Sequence, residues 1–387
     1  MTASHNGAET PTDPAAARGR RARRVTDLLP VFPWDRLEPF GVRARAHPGG
    51  VVDLSVGTPV DPTPELIRDA LSAAADSPGY PTVYGRPELR ESIAAWLVRR
   101  LGITGANPDA VLPVIGTKEL VAALPHQLGL GPGDTVAHPA LAYPTYDVGA
   151  RLAGATPLPV VDGTLPDPAG VRMIWLNSPG NPHGAVRSVE ELRAVVEWAR
   201  AHDILVVSDE CYIELCWDAR AVSVLHPDVC GGSHEGLLAL HSLSKRSNLA
   251  GYRAGLVTGD LAVIRELLAV RKHAGHIVPG PVQAAMTVAF ADDEHVAVQK
   301  ARYAARRAAL RGALESAGFR IEHSEASLYL WTTRDEDCWD TAAWFAERGI
   351  LVAPGDFYGP LGDRHVRIAF TATDERVAAG VERLKNG

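Results

Sequence analysis

The sequence has little of what marks secreted, membrane or nucleic-acid-binding proteins. Its 387 residues include 4 Cys, and Cys211, Cys216, Cys230 and Cys338 show neither C-x-x-C metal spacing nor the framework of a small disulfide-rich domain. No apolar run approaches the roughly 20 residues that span a bilayer. The net charge of −7 argues against a broad nucleic-acid or anionic-membrane surface. We therefore expect reduced thiols in a cytoplasmic protein, with small molecules as partners.

Four common catalytic signatures are also missing. No G-x-x-x-x-G-K-[ST] loop occurs, and no G-x-G-x-x-G follows a predicted strand. The run from Gly232 to Gly236 misses the G-x-S-x-G spacing by one place, and His234-Glu235 has no second His at H-E-x-x-H spacing. Nucleotide-dependent, serine-hydrolase and zinc-protease chemistry therefore lose support.

What the sequence does contain is an alternation of short β-rich runs and helical patterns between about residue 90 and residue 260. Apolar runs bounded in this way are typical of strands buried on both faces. They predict an α/β fold with a mainly parallel central sheet and helices on both faces. One helix is well marked, because Ser188 and Glu191 form a capping-box pattern before an apolar stripe. The predicted strands cover 111–115, 135–138, 173–176, 204–208, 237–241 and 256–258.

The apolar periodicity and the secondary-structure patterns of the sequence predict four parts. Residues 1–24 lack apolar periodicity and are expected to form a flexible arm. Residues 25–50 read as a segment that joins the small domain, residues 51–278 as the large domain, and residues 279–387 as a smaller α+β domain. In this last part the patterns predict a long helix over 282–317 and strands at 328–331, 349–352 and 366–370.

The first positive chemical signal is Lys245, which directly follows a predicted buried strand and has hydroxyl side chains around it. Such a lysine can hold a carbonyl cofactor as a Schiff base, although an isolated lysine is more often a solvated loop residue. Asp209 strengthens the signal, because it ends another predicted strand and ligands of α/β sheets bind beyond the carboxyl ends of the strands. A carboxylate there can keep a pyridine nitrogen protonated.

Around these two residues, a series of short motifs resembles the class I/II, fold-type I pyridoxal-phosphate aminotransferases from about residue 25 to residue 384. Each motif alone is weak, but their number and order make the resemblance specific. The motifs are Tyr80 with Gly-Arg-Pro-Glu-Leu-Arg at 85–90, Gly-Thr-Lys-Glu at 116–119, Tyr-Pro-Thr-Tyr at 143–146, Asn-Pro-His-Gly at 181–184, Ser-Asp-Glu-Cys-Tyr at 208–212, Ser-Leu-Ser-Lys at 242–245, Gly-Tyr-Arg at 251–253 and Val-Arg-Ile at 366–368.

The resemblance implies pyridoxal phosphate as the cofactor and gives the residues around its ring their roles. Lys245 would bind the cofactor as a Schiff base and later move a proton, and Asp209 would pair with the ring nitrogen. Asn181 and Tyr212 would donate hydrogen bonds to the phenolate oxygen and lower the pKa of the Schiff base. Tyr143 would stack on the ring.

The phosphate of the cofactor is expected at the start of a helix. Gly116, Thr117 and Lys118 follow a predicted strand and open a helical segment, which offers free backbone N–H groups to an anion. The resemblance adds Ser242 and Arg253 to this cradle, and an arginine suits a bidentate phosphate contact.

The resemblance also assigns a substrate side and a partner. Arg367 would bind the substrate α-carboxylate through its guanidinium fork, with Asn181 beside it and the backbone of Gly57 close by. Tyr80 would reach the cofactor phosphate of the neighbouring subunit. We therefore expect a homodimer whose two active sites lie at the subunit interface, acting on an amino donor and an oxo acid.

Within the family, the stretches 32–35, 52–61, 244–253 and 270–275 resemble actinobacterial N-succinyldiaminopimelate aminotransferases of lysine and diaminopimelate biosynthesis. This implies L-glutamate as donor, N-succinyl-2-amino-6-oxopimelate as acceptor, and a ping-pong reaction through pyridoxamine phosphate. Other class I aminotransferases, acting on aspartate, aromatic amino acids, kynurenine or methionine, stay open, as does a C–S lyase; a ligand-sensing regulator domain is a remote alternative. Position alone suggests the following cations for distal carboxylates: Arg86, Lys118, Arg271, Lys272 and His273.

Overall fold

The computed structural model describes residues 25–385. Its strands are β1 (Val52–Asp53), β2 (Val111–Val114), β3 (Thr135–Pro139), β4 (Thr156–Val160), β5 (Val171–Asn177), β6 (Leu205–Asp209), β7 (Leu237–Ser242), β8 (Gly255–Gly259), β9 (Arg320–Glu322), β10 (Tyr329–Thr333), β11 (Ile350–Leu351), β12 (Ala353–Pro354) and β13 (Val366–Ala369). Its α-helices are α1 (Glu38–Arg45), α2 (Glu65–Ala73), α3 (Pro87–Leu101), α4 (Thr117–Gln127), α5 (Thr145–Ala153), α6 (Val189–Ala201), α7 (Pro227–Cys230), α8 (Leu243–Arg246), α9 (Leu261–Ala274), α10 (Gly280–Ala291), α11 (Glu294–Ser316), α12 (Cys338–Glu347) and α13 (Asp374–Lys385). The predicted arm at 1–24 lies outside the described residues.

The central sheet has seven strands in the order β2-β8-β7-β6-β5-β3-β4. The strands from β7 to β4 run parallel, and β8 is antiparallel to both of its neighbours. In the register, Asp209 pairs with Asn177 on one side and with Leu240 on the other. The carboxyl ends of β5, β6 and β7 therefore meet at one edge, which is where α/β sheets bind ligands.

Both faces of this sheet are covered by helices, as the apolar strand runs predicted. On β6, Val206 packs into a cluster with residues of α3, α6 and α10, whereas the next residue, Val207, packs with residues of α4, α5 and α9. Burying such a side chain contributes about 2 kcal/mol. The capping box also forms, since Ser188 Oγ accepts from Glu191 N and a Glu191 carboxylate oxygen accepts from Ser188 N. The α/β fold class is confirmed.

Two of the differences from the sequence prediction have a clear physical reason. Strand β4 was not predicted, because Pro157 and Pro159 break the usual strand signal; β4 is the edge strand of the sheet, where proline is tolerated. The predicted single helix over 282–317 is wrong, because α10 and α11 are separate. Asp292 is extended (φ −109°, ψ 130°), and its carboxylate accepts from the backbone of Glu294 and His295 at the start of α11.

A second, four-stranded antiparallel sheet has the order β12-β13-β10-β9. Strand β1 pairs in parallel with β11, and Ala369 N donates to Leu54 O at 2.8 Å. The chain after β1 therefore passes beside β13 and brings Gly57 toward Arg367. Among the residues that the structure describes, no helix has both the length and the apolar character needed to cross a membrane.

Candidate active site

A cleft of about 560 Å³ opens where the carboxyl edge of the central sheet faces β10 and β13. Most of the predicted site residues line it: Gly57, Thr117, Lys118, Tyr143, Asn181, Asp209, Tyr212, Ser242, Lys245, Arg253 and Arg367. Gly116 lies against Arg253 at the rim. Further lining residues that sequence reasoning did not select include Phe32, Trp34, Tyr146, Asn177, Cys211, Ser244 and Tyr329.

Asp209 presents a buried carboxylate at the end of β6. Tyr146 Oη donates to its Oδ2 at 3.0 Å, and Cys211 N donates to its Oδ1 at 3.1 Å. Burial raises the pKa of Asp209, although the bonds from Cys211 and Tyr146 lower it in part. A cationic group in the cleft would therefore offset the cost of this buried charge.

Lys245 lies on α8, just after β7, and its Nζ donates to Gly57 O at 2.5 Å. Burial lowers the pKa of Lys245, and the cations Arg367 and Arg253 lower it further, while nearby Tyr329 and Cys211 oppose the shift. A lysine with a lowered pKa is neutral more often and is a better nucleophile toward a carbonyl.

An anion cradle forms between the start of α4 and the loop after α8. Gly116 has φ +89°, and a Cβ there would lie 2.1 Å from Nη2 of Arg253. Only glycine therefore lets the Arg253 guanidinium approach the N-terminus of α4, where Thr117 and Lys118 begin the helix with free backbone N–H groups. Ser242, at the end of β7, lines the same end of the cleft.

Asn177, at the end of β5, and Tyr212, three residues after β6, complete the cofactor side. Asn177 Oδ1 accepts from Asn181 N at 2.8 Å, and Asn177 Nδ2 donates to Asp209 O at 3.0 Å, so Asn177 fixes the loop that carries Asn181. Tyr212 is buried, and its hydroxyl lies 2.8 Å from the hydroxyl of Tyr329 on β10.

Arg367 is a buried cation with part of its fork unused. Its Nη1 donates to Asn181 Oδ1 at 2.9 Å and its Nη2 donates to Ser55 O at 2.7 Å. Its Nε is buried and has no hydrogen-bond partner among the described residues. Because a buried charge needs compensation, this geometry suits an anionic ligand such as a carboxylate.

Some of the predicted residues lie elsewhere. Tyr80 is fully exposed and does not line the cleft of its own chain. Of the five cations suggested for distal carboxylates, Lys118 alone lines the described cleft. Arg271 is fully buried and bonds to Glu119 and Gln127, so it is a structural residue. The sequence hypotheses for Arg86, Lys272 and His273 likewise find no support in the cleft of this chain.

The residues present fit pyridoxal phosphate. The cradle that only glycine permits suits a phosphate, and the buried carboxylate of Asp209 suits a protonated pyridine. The lysine with a lowered pKa suits the carbonyl carbon. A mainly parallel sheet that offers these groups at one edge has the fold and the chemistry of the fold-type I pyridoxal-phosphate enzymes.

Comparison with known proteins assigns the chain to one family within this class. The family model for aminotransferases of class I and II matches residues 49–384. The chain therefore belongs to the class I and II aminotransferase family, and it is a pyridoxal-phosphate-dependent transaminase.

Three relatives and one solved structure illustrate the family. The chain is 62% identical over 356 residues to the 4-dedimethylamino-4-oxo-anhydrotetracycline transaminase OxyQ of Streptomyces rimosus, covering 92% of this chain and 99% of that protein. It is 62% identical over 378 residues to the probable aminotransferase Rv1178 of Mycobacterium tuberculosis (96% and 90%). It is 33% identical over 388 residues to an LL-diaminopimelate aminotransferase of Dehalococcoides mccartyi (94% and 98%). An aspartate aminotransferase double mutant of Thermus thermophilus superposes with a TM-score of 0.84 at 25% identity (95% and 99%).

Proposed function

We propose that this transaminase moves an amino group from L-glutamate to N-succinyl-2-amino-6-oxopimelate in two half-reactions at one cleft. The observation that carries amino transfer is the convergence of Lys245, Asp209 and Arg367 on this cleft. A nucleophile, a carboxylate and a carboxylate-binding fork are what an amino acid and a carbonyl cofactor require.

Pyridoxal phosphate, when bound, supplies the carbonyl that receives the amino group and a ring that takes up electrons. In the proposed division of labour, Asp209 holds a proton on the ring nitrogen, and Asn181 and Tyr212 donate to the phenolate oxygen. Arg367 orients the substrate carboxylate. Lys245 Nζ would hold the carbonyl carbon of the cofactor and, when not bonded to it, would carry the proton that amino transfer moves from one carbon to another.

The distal part of the acceptor is assigned to the mouth of the cleft. Among the described residues that line the cleft, Lys118 has the cationic side chain not already given to cofactor or α-carboxylate, since the cradle uses its backbone N–H. Its Nζ lies 5.8 Å from the ring centroid of Tyr143 and 5.9 Å from that of Phe32. A carboxylate at the far end of a long acceptor would meet this positive charge beside apolar rings.

The comparisons support the amino transfer and leave two acceptors to compare. The relative of Dehalococcoides mccartyi is named for a diaminopimelate substrate, which favours the proposed acceptor at 33% identity. The relative of Streptomyces rimosus is named for an oxo-anhydrotetracycline, and its 62% identity favours a ring ketone as the second candidate acceptor. The aromatic side chains at the mouth, Phe32, Trp34 and Tyr143, are compatible with either.

The deciding experiment follows the absorption of the purified protein with pyridoxal phosphate during titration with N-succinyl-LL-diaminopimelate. Conversion of the visible cofactor band supports both the mechanism and the acceptor. A band that responds to glutamate but not to this compound overturns the acceptor, and activity with the oxo-anhydrotetracycline then favours the second candidate. In the variant Lys118→Gln we expect KM for the succinylated acceptor to rise about 10-fold, with KM for pyruvate unchanged.

We also propose a homodimer with shared active sites. Tyr80 places a fully exposed phenol away from the cleft of its own chain, which is expected if it contacts the cofactor phosphate bound by a second copy. Sedimentation of the protein tests the dimer. In a true dimer, Tyr80→Phe should weaken cofactor binding, whereas a monomer with full activity would overturn the proposal.

A further inference from the structure

Tyr329 is one of the residues that join the two sides of the cleft. It begins β10 of the four-stranded sheet, yet its buried hydroxyl lies 2.8 Å from the hydroxyl of Tyr212, which follows the central strand β6. Each phenol can donate one hydrogen bond and accept another. Tyr212 can therefore accept from Tyr329 while its own O–H points into the cleft.

The ring of Tyr329 supports Arg367. In the register of β10 and β13, Trp331 pairs with Arg367 and Tyr329 pairs with Ala369, so Tyr329 and Arg367 are diagonal neighbours on one face. The guanidinium carbon of Arg367 lies 3.9 Å from the ring centroid of Tyr329. A cation held over an aromatic face in a desolvated site is restrained in position as well as stabilised.

Gly57 leaves the space that Tyr329 occupies. A Cβ at position 57 would lie 2.5 Å from the hydroxyl oxygen of Tyr329 and 2.6 Å from its ring carbon Cε1. The carbonyl of the same glycine accepts from Lys245 Nζ. One close backbone approach therefore brings Tyr329 and Lys245 together, next to Tyr212 and Arg367.

The charges around Tyr329 agree with this placement. Burial raises the pKa of Tyr329, but the cations Arg367 on β13 and Lys245 on α8, together with the contact to the Tyr212 hydroxyl, more than offset it, and the pKa lies below its ordinary value. Cys211, after β6, acts in the opposite direction. A phenol made more acidic in this way is a stronger hydrogen-bond donor to Tyr212.

We propose that Tyr329 is a positioning residue of the transaminase, which directs Tyr212 through its hydroxyl and holds Arg367 through its ring. This inference rests on the proposed roles of Tyr212 and Arg367. Tyr329 then has two roles, because its hydroxyl acts on the cofactor side and its ring acts on the side that binds the substrate carboxylate. The two tasks can be removed one at a time.

The test compares Tyr329→Phe with Tyr329→Leu, using Tyr303→Phe as a matched control. Tyr303 is a buried tyrosine of the same apolar cluster and does not line the cleft. In Tyr329→Phe, Tyr212 becomes a weaker donor to an anionic oxygen of the cofactor, so the pH midpoint of the visible cofactor band should rise by about half a unit. KM for glutamate should stay within about 2-fold. In Tyr329→Leu, KM for glutamate and for the oxo acid should rise about 10-fold.

A double-mutant cycle decides whether the hydroxyl acts through Tyr212. In a Tyr212→Phe background, adding Tyr329→Phe should move the midpoint of the band no further. A midpoint that Tyr329→Phe leaves unchanged overturns the hydroxyl role, and an unchanged KM in Tyr329→Leu overturns the ring role. If Tyr329→Leu does not fold, Tyr329→Phe with its double mutant still tests the hydroxyl. A wild-type protein without any cofactor band would overturn the proposed function instead.

Discussion

The two sides of the cleft are built in different ways. On the cofactor side, Asp209 and Ser242 end adjacent parallel strands of one sheet, and Lys245 lies in the short helix after the second strand. On the substrate side, Gly57, Tyr329 and Arg367 come from distant parts of the chain, and the Arg367 contact with Ser55 O spans 312 positions. Short strand-end motifs therefore specify the first side, whereas the second side depends on tertiary packing.

This difference separates the expected effects of substitution. Changes on the cofactor side should alter cofactor binding or its absorption. Changes on the substrate side should alter KM and leave the cofactor in place, except at the hydroxyl of Tyr329, which is proposed to act on the cofactor side through Tyr212. A cofactor-side variant that changes KM, or another substrate-side variant that changes the cofactor band, would show that the two sides are coupled more tightly than their construction indicates.

The largest effect is expected on the cofactor side, for Lys245→Ala. Turnover should fall at least about 10³-fold, since both the nucleophile and the proton carrier are lost. The visible cofactor band should disappear, which absorption spectroscopy and steady-state rates will measure. The fold should persist, because the change removes a cation whose pKa burial has lowered. Lys272→Ala, on the exposed surface of α9, is the control, and transamination by Lys245→Ala would contradict the assignment.

The next effect is expected on the substrate side, for Arg367→Met. Loss of a buried charge-assisted fork is worth about 3 kcal/mol, so KM for glutamate and for the oxo acid should each rise about 10²-fold. The cofactor band should stay as in the wild type. Arg311→Met, a change at a half-buried arginine on α11 that does not line the cleft, serves as the control. Loss of the cofactor in Arg367→Met, without a change in KM at saturating cofactor, would break the division between the two sides.

A smaller effect is expected for Arg253→Met, back on the cofactor side. Arg253 is solvent-exposed in this chain, so its contact with a phosphate is partly screened and its loss should weaken cofactor binding about 10-fold. Titration of cofactor-free protein with pyridoxal phosphate measures this. At saturating cofactor, KM for glutamate should equal the wild-type value. A raised KM with unchanged cofactor affinity would move Arg253 to the substrate side.

The same division explains what could be predicted from the sequence. The buried strand runs and the residues that follow them were recognisable, because the apolar pattern places Asp209 and Lys245 at strand ends. Tyr329 was recognisable only as part of a strand, since its direction depends on the register of β10 against β13. Tyr146 lay inside a recognised motif, but its bond to Asp209 depends on how α5 packs over β6.

The smallest expected effect concerns a buried pair behind the cofactor side. Glu210 follows Asp209, and its Oε2 lies 3.6 Å from Nε2 of His241, which precedes Ser242. Burial raises the pKa of Glu210 to about 7, partly opposed by bonds from Val224 N, Ser223 and Ser208. Burial, together with the charge of Arg246, lowers the pKa of His241 to about 3. Between about pH 3 and pH 7 the pair is therefore expected to be neutral when folded, with its proton on Glu210.

The sign of the pH dependence follows from the protons bound. The ordinary values are 4.5 for Glu210 and 6.5 for His241, so between these pH values the unfolded pair also holds one proton, on His241. Folding then transfers the proton from His241 to Glu210 without net uptake. In this range the pair therefore adds no pH dependence to the free energy of unfolding. In Glu210→Gln the folded protein holds no proton at this pair, whereas the unfolded protein still binds one on His241. Its stability should fall as the pH drops from 6.5 to 4.5, at up to about 1.4 kcal/mol per pH unit.

Urea unfolding of wild type, Glu210→Gln and the exposed control Glu197→Gln at three pH values within this window measures the slope. The control should follow the wild type, because Glu197 is exposed on α6. If Glu210→Gln also follows the wild type, Glu210 is ionised in the folded protein and pairs with a charged His241. The cofactor side would then rest on an ion pair rather than on a neutral hydrogen-bonding pair, and the charge of Asp209 would have a like charge directly behind it.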